Sequence, residues 1–356
     1  LEVPRAMRRG STWIEPKLVG EVAFTEFTSD GVLRHPSFIA LRQDKAAKEV
    51  VREVPSRSPG HLGELSPKAT EGGGEQSKAP SAPSGHLPQV PGGGANRPTY
   101  ESLGVRLTNP DRVIFEGDEL TKADLANYYA AVAPLLMVDL ANRPMTLIRC
   151  PQGRSKKCFF QKHDSGTFGE HVHHVPVKES DGEVQDYLYV TDIEGALACV
   201  QMGTIEFHGW GSRIDPLEMP DRLVFDLDPD VGLDFDKVKE AALRLRALLG
   251  DLGLTTFPLL SGGKGIHVVA PLDQTRDWPT VKSFAERFSR AIAQAEPEMF
   301  TANMRKELRK GRIFLDWLRN QRGATAVMPY SARAREGAPV SAPIGWEELE
   351  GVTGGN

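Results

Sequence analysis

Two aspartates, Asp226 and Asp228, close the apolar run LVFDLDPD at 223–230. In a strand, residues two apart share a face, so both carboxylates project to one place. Carboxylates held that close repel unless a cation lies between them. Oxygen-only ligands at this spacing suit Mg²⁺ or Mn²⁺. A second apolar run, IFLDW at 313–317, delivers Asp316 in the same manner. Three carboxylates on adjacent strands make a site for two-metal phosphoryl transfer. The competing structural reading is strand-end caps and turn formers, and Asp230 in the DPD turn is assigned to that role.

A glycine-rich string follows, SGGKGIHVV at 261–269. Its glycines let backbone N–H groups approach a phosphate, and Lys264 adds charge. It lacks the GxxxxGK[ST] spacing of a Walker loop. His267 falls on the strand after the turn and can point into the same cleft. Alone, the string reads as a hairpin with a satisfied core histidine; beside the DxD strand and Asp316, the phosphate reading prevails. A tract of histidines, His163, His171, His173 and His174, with Cys158 nearby, suggests a transition metal. The alternation in EHVHHVPV suits a half-exposed strand equally, and that reading is adopted.

These side chains need rigid elements to hold them. Thr121 caps a helix carrying Leu125, Tyr128, Tyr129, Val132, Leu135 and Leu136 at helical spacing. Strands are predicted over 145–150, 186–190, 204–208, 222–227, 255–260, 265–271 and 312–317, and helices over 193–202, 235–252 and 278–295. The alternation is that of an α+β fold with antiparallel pairs. Residues 51–98 differ: 23 of these 48 are Gly, Pro or Ser, with no Phe, Tyr or Trp. Such a segment cannot bury enough apolar surface to offset its ordering entropy and reads as a disordered linker. It separates a small piece, 1–50, from a large one, 99–356. In the small piece LVGEVAFTEF at 18–27 alternates with period two, ahead of a turn at Ser29-Asp30-Gly31. Fifty residues with one such pattern read as the truncated tail of an all-β domain.

The 356 residues suffice for two domains, and 40% hydrophobic with 26% charged content is ordinary globular composition. Collagen, coiled coil and wholesale disorder are thereby excluded. The net charge of −5 gives no global sign of nucleic-acid binding, although a local basic groove is compatible with it. No apolar run approaches the ~18 residues of a spanning helix, and no basic-then-apolar leader opens the chain. A cytoplasmic location without membrane partners is expected. The cysteines, Cys150, Cys158 and Cys199, are odd in number and without CxxC spacing. They are expected to be reduced, with no disulfide frame and no zinc finger. A chain that begins at Leu1 and stops at Gly354-Gly355-Asn356 is expected to be a fragment.

DLD, then SGGKGIH, then FLDW, in this order and spacing, resembles the polymerase domain of bacterial non-homologous end-joining DNA ligases, which belong to the archaeo-eukaryotic primase superfamily. The resemblance covers essentially all of 99–356 and includes LTNPDRVIF (107–115), ELTKADLANYY (119–129), RPMTLIRCPQG (143–153), CFFQKH (158–163) and EFHGWGSR (206–213). It extends through RNQRGATAVMPYSARAREGAPVSAPIGWEEL (319–349). The resemblance implies a primase-like α+β domain with mixed or antiparallel sheets and flanking helices. It implies that Asp226, Asp228 and Asp316 are the catalytic ligands of two Mn²⁺ or Mg²⁺ ions. Ser261, Lys264, His267, Arg333 and more weakly Arg309 are implied contacts to the phosphates and sugar of an incoming NTP or dNTP, with His208 near the sugar. Phe159 and Phe160 correspond to an aromatic pair stacking on the template base, in a sequence-tolerant way, with Lys162 beside them as a DNA contact. Asn109, Arg112 and Lys122 fall where the family binds the 5′-phosphate beyond a gap; many relatives have Lys at the position of Arg112.

Within 1–50, VGEVAFTEFTSDGVLRHPSFIALRQDK (19–45) resembles the last strands of the OB-fold domain of ATP-dependent DNA ligases. Arg42 and Lys45, in LRQDK, would be the remnant of its final ATP-phosphate motif. No KxDG string accompanies it; Lys178-Glu-Ser-Asp181-Gly182 has the wrong spacing. The chain as given is therefore not expected to seal nicks. The activity implied is template-directed nucleotide addition at gaps, nicks and double-strand ends in a bacterial, nucleoid-associated setting, with the Ku end-binding protein as implied partner. One metal would activate a primer 3′-OH and the other hold the triphosphate, with no protein nucleophile. Two rival classes are a non-catalytic DNA-end-binding module tethered to a ligase and another DxD enzyme such as a sugar-nucleotide transferase. A binding module does not need the three aspartates, and a sugar transferase does not need Phe159-Phe160 or the 5′-phosphate trio.

Overall fold

The computed structural model describes residues 98–355 apart from Ser165 and Ser180, together with the backbone of four short strands between residues 19 and 42. Those strands belong to one unit of the chain, and residues 98–355 belong to a second. In the first, β1 (Val19–Ala23) pairs antiparallel with β4 (Ser37–Arg42), and β2 (Glu26–Phe27) with β3 (Leu33–Arg34). Arg42 is the last residue of β4. Lys45, the turn at 29–31 and residues 51–97 of the predicted linker lie outside the described residues.

The second unit opens with a small hairpin, β5 (Val113–Phe115) and β6 (Leu120–Thr121), which leads into α1 (Lys122–Leu140). Thr121 caps α1 as predicted: its hydroxyl accepts from Asp124 N–H while the Asp124 carboxylate accepts from Thr121 N–H. This reciprocal arrangement satisfies two otherwise orphaned donors. Then come β7 (Met145–Arg149), β8 (Phe159–Gln161), β9 (His173–Lys178), β10 (Val184–Tyr189), α2 (Ile193–Gln201) and β11 (Thr204–Trp210). The order continues with β12 (Arg222–Pro229), α3 (Phe235–Asp251), β13 (Phe257–Leu260), β14 (Ile266–Pro271), α4 (Trp278–Ala295), β15 (Phe300–Thr301), β16 (Ile313–Asp316), β17 (Thr325–Val327) and β18 (Ala342–Pro343).

Two sheets organise these elements. One has the order β17-β11-β7-β8 and the other β15-β16-β12-β14-β13-β18. Pairing is antiparallel throughout both except between β15 and β16. In the first sheet, Leu147 and Phe207 pack with Leu125, Tyr129 and Leu136 of α1 and with Leu197 of α2. In the second, Leu223, Phe225 and Leu227 of β12 pack with Val238 and Leu245 of α3 and Ile292 of α4. The period of two along β12 thus buries its odd-numbered residues against helices and turns Asp226 and Asp228 the other way. Leu135, placed by its spacing on the apolar stripe of α1, is 41% exposed; the buried stripe runs through Leu125, Tyr129, Val132, Leu136 and Leu140.

The cysteine expectation is corrected. Cys150 and Cys158 form a disulfide, with Cα atoms 4.3 Å apart, and only Cys199 is free and buried. The cause is register. β7 and β8 pair antiparallel with Arg149 opposite Phe159, so Cys150 and Cys158 are the next residues facing each other beyond that pair. Spacing along the sequence carries no trace of this, because a hairpin that is not itself read as a hairpin hides which residues face each other.

Candidate active site

Asp226 is the junction of the site. In the register of the second sheet it faces Asp316 on β16 and His267 on β14. Directly opposite residues project to one face, so Asp316, Asp226 and His267 form a row across three adjacent strands. Asp228 joins them from two residues along β12. The His267 Nε2 lies 3.5 Å from Asp226 Oδ1, and burial pulls that imidazole below its usual pKa, against the opposing pull of Asp226. Among the described residues, its Nδ1 is buried without a hydrogen-bond partner. Burial, together with the neighbouring charges of Asp226 and Asp228, holds the Asp316 carboxyl above its usual range.

Two arginines balance the carboxylates. After β16 the chain folds into a short 3-10 turn, pinned when Asn320 donates to Val224 O and accepts from Val224 N–H, both at 2.7 Å. That turn swings Arg319 back over the row: Nη2 reaches Asp226 at 3.0 Å and Nε reaches Asp316 at 3.3 Å. Burial lowers the pKa of this guanidinium, but Asp226 and Asp316 outweigh it and hold it above its ordinary value. Arg309 pairs with Asp228 and stacks its guanidinium 4.3 Å above the centre of Phe314. Asp230 accepts from Gly311 N–H at 2.9 Å, the structural role assigned to it.

Among the described residues, no three His, Cys, Asp or Glu side chains already converge as a metal-ligand group. The donor chemistry nevertheless fits a hard divalent cation, because the row offers oxygen ligands from Asp226, Asp228 and Asp316 on rigid strands. The guanidiniums of Arg319 and Arg309 mark where positive charge is favoured. The histidine tract does not converge: His163 Nδ1 lies 3.0 Å from Asp186 O, His173 Nε2 is 3.3 Å from the Thr191 hydroxyl and His174 Nε2 is 3.1 Å from Asp164.

The glycine turn stands beside this row. Gly262 has φ +66°, and a Cβ there would lie 2.6 Å from Arg333 Cγ. A Cβ on Gly263 would lie 2.6 Å from Arg335 Nη1. Bare backbone at these two positions is what lets both arginines close over the turn. Arg333 donates to the carbonyl of Ser261, and Gly263 N–H donates to Gly355 O at 3.0 Å. Lys264 is exposed at the tip. Together Asp226, Asp228, Ser261, Lys264, His267 and Arg333 line a polar cavity of about 350 Å³, with His208, Arg319 and Arg335 completing its wall. A more apolar cavity of about 450 Å³ shares His267 as a wall and is lined by Phe257, Leu259 and Tyr330, without any of the three aspartates.

The remaining candidates fall in two other places. Asn109, Arg112 and Lys122 are brought together by backbone bonds, Arg112 N–H to Asn109 O at 3.1 Å and Lys122 N–H to Arg112 O at 2.8 Å. Asn109 and Arg112 are exposed, whereas Lys122 is buried and its ammonium donates to Thr108 O at 2.9 Å and Gln201 Oε1 at 2.7 Å. Burial, with the nearby charge of Arg112, pulls Lys122 down to about 8. Phe159 and Phe160 are consecutive on β8, so their rings leave opposite faces of the sheet. Phe160 is 73% exposed, while Phe159 has the Arg149 guanidinium 5.3 Å from its ring centre. Lys162 is held at 3.0 Å by Glu179 and at 2.8 Å by the Tyr187 hydroxyl.

Three residues of the site, Arg319, Arg335 and Glu206, are assigned no role by the motifs that the sequence offers. Arg319 sits three residues after Asp316, a spacing that brings two side chains together wherever the chain turns helically. Glu206 sits two residues before His208 on the same strand. Arg335 follows Arg333 by two, in a segment outside the strands.

An α+β protein with an acidic row beside a glycine turn and an arginine-rich polar cavity has the equipment of a protein that handles phosphates on a divalent ion. Comparison with known proteins makes this specific. Residues 121–356 match the model of the LigD primase-polymerase domain, and residues 1–45 match that of the ATP-dependent DNA ligase C-terminal region. The chain belongs to the LigD primase-polymerase family. It is 38% identical, over its whole length, to the multifunctional non-homologous end joining protein LigD of Pseudomonas aeruginosa, covering 39% of that protein. It is 31% identical to the bifunctional non-homologous end joining protein LigD of Bacillus subtilis, over 72% of this chain and 41% of that one. The chain thus spans about two-fifths of these relatives. The structure also resembles the polymerase domain of Mycobacterium tuberculosis Ligase D in complex with DNA, with TM-score 0.65 and 33% identity over 69% of this chain and 88% of that one. The α+β class expected from the sequence is the class found.

Proposed function

We propose that this chain is a template-directed nucleotidyltransferase that adds nucleotides at gaps, nicks and double-strand ends during non-homologous end joining. The observation that carries this is the cavity in which Asp226, Asp228 and His267 meet the glycine turn and its arginines, with Asp316 directly opposite Asp226 on the neighbouring strand. Asp226, Asp228 and Asp316 would hold two divalent ions, Mn²⁺ or Mg²⁺, which when bound supply charge neutralisation for phosphoryl transfer. Lys264, Arg333 and Arg335 receive the triphosphate of an NTP or dNTP; Ser261 and His267 shape the floor beneath it. Arg319 holds Asp226 and Asp316 in register with each other. Both Arg309 and Lys162 are paired here: Arg309 orients Asp228, and Lys162 ties the end of β8 to Glu179 and to Tyr187 of β10. The relatives' names support a role in end joining, and the DNA in the neighbouring structure supports DNA as the partner. Ku remains the proposed recruiting partner, checked by co-purification with and without DNA ends. Primer extension on a gapped duplex tests the activity itself.

Base stacking is assigned chiefly to Phe160, the ring that β8 presents to solvent. Phe160→Ala is expected to weaken binding to gapped DNA several-fold, since stacking on one base is worth about 1–3 kcal/mol. Phe159→Ala is expected to do less, and both losses are expected to be independent of the 5′-phosphate. Titration of labelled duplexes measures this; a larger loss for Phe159→Ala would reverse the assignment.

The 5′-phosphate is assigned to Arg112 and Asn109, with Lys122 behind them. A charge-assisted contact is worth about 1.5–3 kcal/mol, less at an exposed site, so a 5′-phosphate is expected to strengthen gap binding several-fold. The group with a depressed pKa is a lysine, so its charged form is disfavoured in the free protein and favoured by a bound phosphate dianion. Binding then takes up a proton once the pH exceeds about 8. The preference for phosphorylated gaps is expected to shrink between neutral pH and about 9, and to be reduced but not abolished in Lys122→Ala, where Arg112 and Asn109 remain. An equal loss of affinity by that variant for both duplexes would place the phosphate pocket elsewhere.

A further inference from the structure

Glu206 is a carboxylate that the polymerase assignment leaves without a task, and it is 3% exposed. It lies on β11 two residues before His208, so both side chains leave the strand on the same face. Its Oε2 accepts from His208 Nε2 at 2.8 Å and from Arg333 Nε at 2.8 Å, and its Oε1 accepts from Ala334 N–H at 2.8 Å. One buried side chain thereby joins β11 to the 333–334 segment that closes over the glycine turn. Burial alone would push this carboxyl up, but the bond from His208 and the charge of Arg333 outweigh it and hold it below the usual carboxylate range. The group is ionised and accepts only.

We propose that Glu206 is the positioning residue of the nucleotide site, fixing the tautomer of His208 and the orientation of Arg333 together; this rests on the polymerase reading for the identity of the ligand. An acceptor-only carboxylate at Nε2 requires the His208 proton on that nitrogen, as second-sphere carboxylates do for other functional histidines. Nδ1 is then the acceptor nitrogen of a ring that lines the cavity, complementary to a hydroxyl donor such as that of the nucleotide's sugar. Arg333 has Nε engaged by Glu206 and Nη1 by the Ser261 carbonyl. Among the described residues its Nη2 has no protein acceptor, and this is the N–H group left for a phosphate. Sugar and phosphate recognition are in this way set by one anion that touches neither.

Glutamine is nearly isosteric but carries a donor. All three partners of Glu206 are N–H groups, so an amide must set its own N–H₂ against at least one of them. Glu206→Gln is expected to raise the KM for nucleotide about tenfold, the consequence of one mispaired buried group. The kcat is expected to change less, and gapped-DNA affinity not at all. The direct readout is the ¹⁵N spectrum of His208. In the wild type the proton is expected on Nε2; in the variant the ring is expected to lose that single tautomer. The proposal is overturned by an Nδ1–H tautomer in the wild type. It is equally overturned by a variant with unchanged tautomer and KM, or by one in which nucleotide and DNA binding fall together. The wild-type spectrum needs neither substrate nor turnover, so it decides the matter even where the variant fails to fold. It also separates failure of this inference from failure of the polymerase assignment.

Discussion

Asp226→Ala, or Asp316→Ala, is expected to reduce nucleotide addition on the order of a thousandfold or more, while gapped-DNA binding largely persists. A bound cation contributes several kcal/mol of transition-state charge stabilisation, and each ~1.4 kcal/mol is tenfold in rate. The two residues face each other across β12 and β16, and under the proposed assignment each removal would leave the others without a complete ligand set. DNA contacts are assigned to Arg112, Asn109 and Phe160, none of which touches this row. Arg319 supplies a control. Without Asp226 or Asp316 its guanidinium keeps one partner, so the fold is expected to survive. Single-turnover extension and equilibrium DNA titration on the same preparations make the comparison; near-normal extension by either variant would remove the metal assignment.

The second large effect is expected from one methyl group. Gly265 ends the glycine turn where β14 begins, and a Cβ there would lie 2.4 Å from the Leu227 carbonyl oxygen. That oxygen belongs to the central strand of the sheet and cannot give way as a flexible side chain would. Gly265→Ala must therefore separate β14 from β12, and with it His267 from Asp226 and Ser261 from its bond to Gly265 O, 3.2 Å long. Overpacking of this kind costs about 1–3 kcal/mol, which for a unit of this size lowers the Tm by a few degrees up to about 10 °C. Displacing reacting groups by about 1 Å costs on the order of a hundredfold in rate. The variant is thus expected to remain folded at room temperature and to lose most of its extension activity. Unchanged melting and activity would show that the turn is not held against β12 as described.

The sequence and the structure diverge in an instructive way. Asp226 and Asp228 were legible because a strand's period of two turns spacing directly into geometry. Asp316 was legible as a strand-end aspartate, though its position opposite Asp226 needed the register. Thr121 was legible because a cap and its partner lie three residues apart. The disulfide between Cys150 and Cys158 was not, because it depends on the pairing of β7 with a three-residue strand that carries too little pattern to be seen. The same short strand splits Phe159 from Phe160, which the resemblance treats as a pair. Arg319 and Glu206 were missed for a different reason. Each acts on partners placed by tertiary structure: Arg319 reaches Asp226 from 93 residues away, and Glu206 reaches Arg333 across 127. Even so, each has a local companion, Asp316 for one and His208 for the other. A polar residue two positions to either side on a strand that carries a candidate, or at i+3 in a turn after one, is the signal that would have found both.

Primer extension on a gapped duplex with Mn²⁺ tests the central claim most directly. The substrate carries a recessed 3′-OH, a templating gap and a downstream 5′-phosphate, and the four nucleotides are offered singly. The predicted result is addition of the nucleotide complementary to the template, dependent on the divalent ion and absent in Asp226→Ala. Binding of the duplex without any extension, in either ribo- or deoxyribonucleotides and with either Mn²⁺ or Mg²⁺, would contradict it and leave a DNA-end-binding module in its place.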